Sequence, residues 1–183
     1  MSAFPITPTL QLVYAALTPF IMNVTGLPAA QVVQGIQNRV SMPANGFVNM
    51  QALFRKRLRT NVHYPVESGE PTTASIEEGV ELVVQIDCYS PAGAYTVGGE
   101  DWANLLSATL RDEYGYDALI GSGLAPLYAD EARMIPITDG EDQYEERWSL
   151  DAHFQFNPVT TIPQQYANVL DLTLIDVPVP GPP

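Results

Sequence analysis

The first 66 residues contain no aspartate and no glutamate, although the chain has 21 acidic residues. This segment has a charge of +5, from Arg39, Arg55, Lys56, Arg57 and Arg59. Residues 67–183 hold all the acidic residues against three arginines, a charge of −18, and the whole chain has a charge of −13. Because uneven charge affects association rather than fold, we expect a subunit with one basic and one acidic surface that attracts copies or partners.

Cysteine is nearly absent, since Cys88 is the only one. An internal disulfide is therefore excluded, which fits a reducing compartment. The apolar stretch from Leu10 to Val24 is interrupted by Pro19 and Asn23 and is too short to span a membrane, and no basic leader precedes it. We expect a soluble protein made in a cytoplasm. The shortage of lysine and arginine argues against a general nucleic-acid binder.

Sequence signals for cofactors and metals are also missing. Gly98 and Gly99 form the only adjacent glycine pair, and no lysine with serine or threonine follows them as in a phosphate loop. His63 and His153 have no ligand spacing to each other or to Cys88. We therefore expect no cofactor and no metal. An acidic run, Asp139 to Glu146, lacks the ligand order of a calcium loop and is interpreted as a solvated hairpin tip.

One set of residues leaves open a hydrolase interpretation. Ser149, Asp151 and His153 lie on the same side of a predicted strand. Side chains two residues apart on a strand are about 7 Å apart, so this trio is not expected to form a catalytic relay. We predict that the chain is not an enzyme and has no catalytic residues, with a solvated or interface-facing strand as the simpler interpretation.

The basic cluster at Arg55, Lys56, Arg57 and Arg59 has two interpretations. It contains enough positive charge to touch phosphate, but Phe54 is its only aromatic neighbour, whereas single-strand binders combine basic grooves with several aromatic residues. A subunit interface made of salt bridges is at least as well supported, and we take these four residues as the candidate interface.

Two segments show the spacing of amphipathic helices. The first is predicted to begin after Thr7 or Thr9 and to end near Asn23, with Pro19 bending or shortening it. The second is predicted from Glu100 to Tyr114, with Gly115 ending it.

Alternating or β-prone patterns predict the strands. They cover Val32–Arg39, Val48–Tyr64 (one strand or a bent pair, with a bulge or bend near Lys56), Val80–Cys88, Ala125–Tyr128, Met134–Ile137, Tyr144–Phe156, and a last strand with Leu170, Leu172 and Leu174. With two main helices and no βαβ rhythm, this predicts an α+β fold with a largely antiparallel or mixed sheet. Residues 1–177 are expected to form one domain, followed by a proline-rich flexible tail at 178–183.

Four stretches together resemble the neck or tail terminator proteins of contractile-tailed bacteriophages. They are Val32–Pro43, Val84–Tyr89, Tyr144–Phe156 and Asn157–Leu170. The resemblance covers about Gln31 to Val177, and it rests on the order and spacing of these stretches because none contains a catalytic motif.

This resemblance implies a structural virion protein whose copies form a ring, usually a hexamer, in the phage neck. Such a ring ends the tail tube, contacts tube and sheath proteins, and joins the tail to head connector or adaptor proteins. DNA would pass through its lumen without specific binding. A head-completion or connector adaptor is the nearest alternative, while a small hydrolase and a monomeric ligand-binding module are alternatives of other classes.

Overall fold

The computed structural model describes residues 6–35, 43, 45–66, 73–91, 97–138 and 144–164. Its helices are α1 (Leu10–Thr25), a 3-10 turn (Ala29–Gln31), α2 (Gly99–Leu110) and α3 (Glu113–Ile120). Its strands are β1 (Ile6–Thr7), β2 (Val32–Gln34), β3 (Phe47–Arg57), β4 (Val62–Val66), β5 (Thr73–Glu77), β6 (Val80–Pro91), β7 (Leu124–Ala129), β8 (Arg133–Met134), β9 (Ile137–Thr138), β10 (Tyr144–Phe156) and β11 (Val159–Pro163).

The strands form two sheets. The larger has the order β2-β3-β6-β10-β7, with β8 and β9 also paired to β10. Its pairs are antiparallel except for β2 with β3. The smaller sheet has the order β1-β11-β5-β4 and is antiparallel. Helices on a mixed, mostly antiparallel sheet confirm the predicted α+β class.

The hydrophobic core lies between the helices and one face of the larger sheet. β6 and β10 provide its centre, with Val84, Ile86 and Cys88 facing the same side as Leu150 and Phe154. All five are at most 1% exposed. The predicted strands Val80–Cys88 and Tyr144–Phe156 are therefore confirmed, including the buried position of Cys88.

The first helix is longer than predicted. It begins after Thr9, whose hydroxyl accepts a hydrogen bond from the Leu12 amide, and it ends at Gly26, which has a φ of 74°. Of the two effects expected of Pro19, bending or shortening, the shortening is wrong, since α1 continues to Thr25. Phe20 and Ile21 are buried directly after the proline. Packing of this apolar face offsets the cost of a proline inside a helix, about 3 kcal/mol.

The predicted helix from Glu100 to Tyr114 is divided into α2 and α3. α2 ends before Arg111, and the Asp112 carboxylate accepts a hydrogen bond from the Tyr114 amide and caps α3. The prediction that Gly115 ends a helix is therefore wrong. Gly115 lies inside α3, where a side chain would meet the carbonyl oxygen of Thr109. This glycine allows close approach of the two helices.

The long alternating segment forms a pair of strands, β3 and β4, that belong to different sheets. The bulge in β3 lies between Ala52 and Phe54 rather than at Lys56, and β3 ends one residue after Lys56, at Arg57. A bulge reverses which side chains face the core. Phe54 and Leu58, on the apolar parity of the sequence, are consequently exposed.

Several other boundaries differ from the predictions. β2 ends at Gln34, and residues 36–42 lie outside the described residues. β5 was missed because it is only five residues long, and its alternation consists of just two apolar residues, the small Ala74 and Ile76. β6 extends to Pro91. The predicted acidic turn at 139–142, the strand at 170–174 and the tail at 178–183 also lie outside the described residues.

Candidate assembly interface

The four basic residues of the predicted interface do not point the same way. Arg55 and Arg57 pair in register with the buried Leu82 and Val80, so they lie on the helix-bearing side of the sheet. Lys56 pairs with Glu81 on the opposite side. Strand alternation thus divides the cluster between the two faces of β3, and the bulge before it sets which face each residue takes.

Two of the four cations bind within the same chain. Lys56 Nζ lies 3.8 Å from Glu81 Oε2, and Arg59 forms an ion pair with Glu77. The Arg55 guanidinium lies 5.0 Å from the centre of the Phe156 ring, a cation–π arrangement that leaves its N–H groups free to bind acceptors. Within the described part of the chain, Arg57 makes no ion pair.

Residues 53–58 form an exposed segment, which we call the basic end of β3. Every residue in it is exposed, including Leu53, Phe54 and Leu58. Phe54 has 54% of its surface accessible, a large fraction for a phenylalanine. Among the described residues, β2 accompanies β3 only as far as Met50. Exposed apolar groups next to cations are typical of a contact surface.

An acidic surface with exposed aromatic and aliphatic groups lies on α3. We call it the acidic helix surface and define it as Glu113, Tyr114, Tyr116, Asp117 and Ile120. All five side chains are exposed. The helix contains no basic residue. Its buried positions, Gly115 and Leu119, face the other way and fix its orientation on the core.

These two surfaces lie at opposite edges of the larger sheet. β6 and β10 separate β3 from β7, and α3 packs beside β7. Three strand spacings correspond to about 14 Å between β3 and β7. Two different surfaces at opposite edges are the arrangement that a head-to-tail contact between identical subunits requires.

A polar network covers the sheet face opposite the helices. Asp87 is nearly buried, and it accepts hydrogen bonds from Arg147 Nη2 and Gln85 Nε2, both at 2.9 Å. Gln85 Nε2 also donates to Ser149 Oγ at 3.0 Å. Among the described residues the buried Arg147 Nε has no hydrogen-bond partner, but Arg147–Asp87 and Gln85–Ser149 both join β10 to β6, so the network fixes the register of these two strands.

The hydrolase trio does not assemble. His153 Nδ1 lies 2.7 Å from Glu81 Oε1, and its ring stacks on Tyr128 with centroids 4.0 Å apart. Asp151 Oδ2 instead lies 3.6 Å from Arg133 Nη2. These contacts agree with the spacing argument from the sequence. His63 lies on β4, in the other sheet, and is exposed.

Burial and charge shift the pKa of two groups in this region. Burial, helped by the charge of Asp87, raises the pKa of the Cys88 thiol far above its usual range. Partial burial alone would lower the pKa of Arg147, but the hydrogen bond to Asp87 and the charges of Asp87 and Tyr89 raise it. No group of His, Cys, Asp and Glu in the described residues is arranged to hold a metal ion.

Sequence reasoning missed the acidic helix surface. The predicted helix ended before Gly115, so Tyr116, Asp117 and Ile120 were left without a structure. The signal was present as Asp112, a capping residue directly before a new apolar pattern. Part of the polar network could be predicted from the sequence, since Glu81, Gln85 and Asp87 lie on the polar side of the alternating pattern in β6.

A family model described as the phage neck terminator protein matches residues 11–180. The chain belongs to this family. The resemblance drawn from the sequence is therefore confirmed, and membership assigns the chain a structural role in the phage neck. No curated protein matches it significantly.

Among the described residues, no helix has both the length and the apolar character needed to cross a membrane.

Proposed function

We propose that copies of this chain form a closed ring, with six as the expected number. The ring ends the tail tube of a contractile-tailed phage and joins the tail to the head. The family match over residues 11–180 is the observation that carries this proposal. Its partners are other copies of itself, tail tube and sheath proteins, and head connector or adaptor proteins. The ring is a virion component assembled in the host cytoplasm.

The charge distribution supports ring formation. A closed ring is built from heterologous contacts, in which one surface of each subunit meets a different surface of the next. The subunit has a basic end of β3 at one edge and an acidic helix surface at the other. Opposite charges at the two edges speed encounter and fix the orientation of neighbouring copies.

The proposed subunit interface includes Arg55, Lys56, Arg57 and Arg59. In this proposal Lys56 and Arg59 hold the segment in place through Glu81 and Glu77. Arg55 and Arg57 then reach the neighbouring subunit. We further propose that residues 1–177 act as one domain in the ring, with the proline-rich segment 178–183 outside that domain.

A channel for DNA fits the overall charge. Tight DNA binding depends on cations that displace counterions from phosphates. The chain has eight lysines and arginines against 21 acidic residues, so a ring of copies would repel DNA overall. DNA would therefore pass through the lumen without specific binding.

Tail length in a phage that lacks this protein tests the proposal. A terminator stops tube polymerisation, so its loss should produce tails longer than those of wild-type phage in electron micrographs. Tails of normal length that fail to attach to heads would instead show a head-completion adaptor. Supplying the intact chain from a plasmid should restore both length and attachment, and a failure to do so would trace the defect to a neighbouring gene.

A further inference from the structure

The structure has two exposed surfaces of opposite charge, and we infer that they bind each other between copies. The basic end of β3 on one subunit docks on the acidic helix surface of the next. This inference rests on the proposed ring and names the residues that close it. The partner is a second copy of this chain, because both halves of the contact are present on one subunit.

The spacing of the charged groups is matched. Arg55 and Arg57 are two residues apart on one side of a strand, so their Cα atoms are about 7 Å apart. Glu113 and Asp117 are four residues apart in α3, so their Cβ atoms are about 5–6 Å apart on one helix side. Two arginine–carboxylate pairs side by side are compatible with these spacings, and arginine prefers such planar contacts.

Apolar groups next to these charges provide the area to be buried. Leu53, Phe54 and Leu58 are exposed at the basic end of β3. Tyr114, Tyr116 and Ile120 are exposed on the acidic helix surface. Aromatic and arginine side chains are the residue types that contribute most to binding at protein interfaces.

Charge also disfavours nucleic acid as the occupant. The acidic helix surface would repel phosphate, and only Arg55 and Arg57 of the basic end lack an acidic partner in the described residues. A second copy of the chain places a surface of opposite charge against the basic end of β3, and likewise against the acidic helix surface.

Charge reversal on each side tests the pairing. One variant carries R55E and R57E, a second carries E113R and D117R, and a third carries all four changes and keeps the wild-type net charge. Each full-length chain is studied by native mass spectrometry, alone and with purified tail tubes. E100K, an exposed change in the first turn of α2, is the control. Circular dichroism verifies that every variant is folded.

The inference makes a distinct prediction for each sample. Each two-site variant alone should lose at least about tenfold of its ring population, because like charges then face each other. An equimolar mixture of the two should form rings again, with the two chains in equal numbers, and the four-site variant should form rings by itself. The control should behave as wild type.

Two outcomes would overturn the pairing. One is rings that withstand both reversals, and the other is rings lost in both variants and restored neither by mixing nor by the four-site chain. A wild-type chain that forms no ring, even with tail tubes present, would instead overturn the proposed function itself. The two failures are therefore separable.

Discussion

Arg147 donates a hydrogen bond through Nη2 to Asp87 Oδ2 at 2.9 Å, across the β10–β6 pair. The Asp87 side chain is only 4% exposed and that of Arg147 is 25% exposed. An ion pair with one partner so deeply buried depends on both members, because losing either leaves a charge without compensation. The pair therefore holds together the two strands at the centre of the larger sheet.

Replacing Arg147 by methionine should destabilise the subunit. The charge of Asp87 would remain buried without its cationic partner, and we expect the free energy of unfolding to fall by about 3 kcal/mol. Urea denaturation measures this change. Arg133→Met is the matched control, because Arg133 is 61% exposed and lies 3.6 Å from its partner, Asp151. The control should cost about 0–1 kcal/mol. Equal losses in the two variants would contradict the special role of the Arg147–Asp87 pair.

The Cys88 thiol should be inert in the folded protein. It is buried, and burial raises its pKa, so little reactive thiolate exists near neutral pH. We expect Ellman's reagent to react with it at the rate of global unfolding and to react immediately in concentrated urea. Rapid reaction of the folded chain would show that the β6 core opens locally.

Cys88 should also make the subunit less stable in alkali. The folded-state pKa is above the unfolded value of about 8.5, so the folded protein keeps its proton where the unfolded chain loses it. This group's contribution is complete below about pH 8.5 and falls by up to about 1.4 kcal/mol for each pH unit above it. Cys88→Ala should have a flatter decline between about pH 8.5 and 10.5 in urea titrations. Parallel curves would refute the prediction.

Gly115 should not tolerate a side chain. Alanine inside a helix is normally more stable than glycine by about 1 kcal/mol. At Gly115, however, a Cβ atom would meet the Thr109 carbonyl oxygen and lie 3.1 Å from Leu110 Cα. We expect Gly115→Ala to lower the free energy of unfolding by about 1–3 kcal/mol.

Gly121 provides the control for this change. It ends α3 with a φ of −63°, and a Cβ atom there would meet nothing within 4 Å. Gly121→Ala should leave stability unchanged or raise it by about 0.4–1 kcal/mol, because it restricts the unfolded chain. Thermal melts of both variants measure these changes in stability. If Gly115→Ala leaves the stability unchanged, the α2–α3 contact is looser than described.

The sequence predicts the parts of this fold that depend on one repeating pattern. β6 and β10 alternate over most of their length, so their buried side and most of their extent were predictable, although β6 continues past Cys88 to Pro91. The bulge at residue 53 was not, since Leu53 only extends an apolar run from Ala52 to Phe54, and such a run does not show that pairing with β6 slips by one residue there. That slip decides which side of the sheet each cation occupies, so the position of Arg55 and Arg57 on the helix-bearing side needed the structure.

Gly115 shows a second limit of sequence reasoning. A glycine after an apolar helical pattern normally indicates a helix end. Here it permits close packing of two short helices, which is a tertiary requirement that a local pattern does not contain. The acidic helix surface was missed for this reason alone. Glu113 and Asp117 belong to the acidic segment of residues 67–183, but the sequence does not show that they share one surface.

Cross-linking between engineered cysteines tests the head-to-tail contact most directly. In a Cys88→Ala background, one variant carries both R57C and D117C, and two others carry one of these changes each. A short bifunctional maleimide is added to assembled rings, and the products are separated on denaturing gels. The account predicts a ladder up to the closed ring for the double variant, dimers only when the two single variants are mixed, and monomers for each single variant alone. Dimers from R57C alone, or rings that give no cross-link in the double variant, would contradict it.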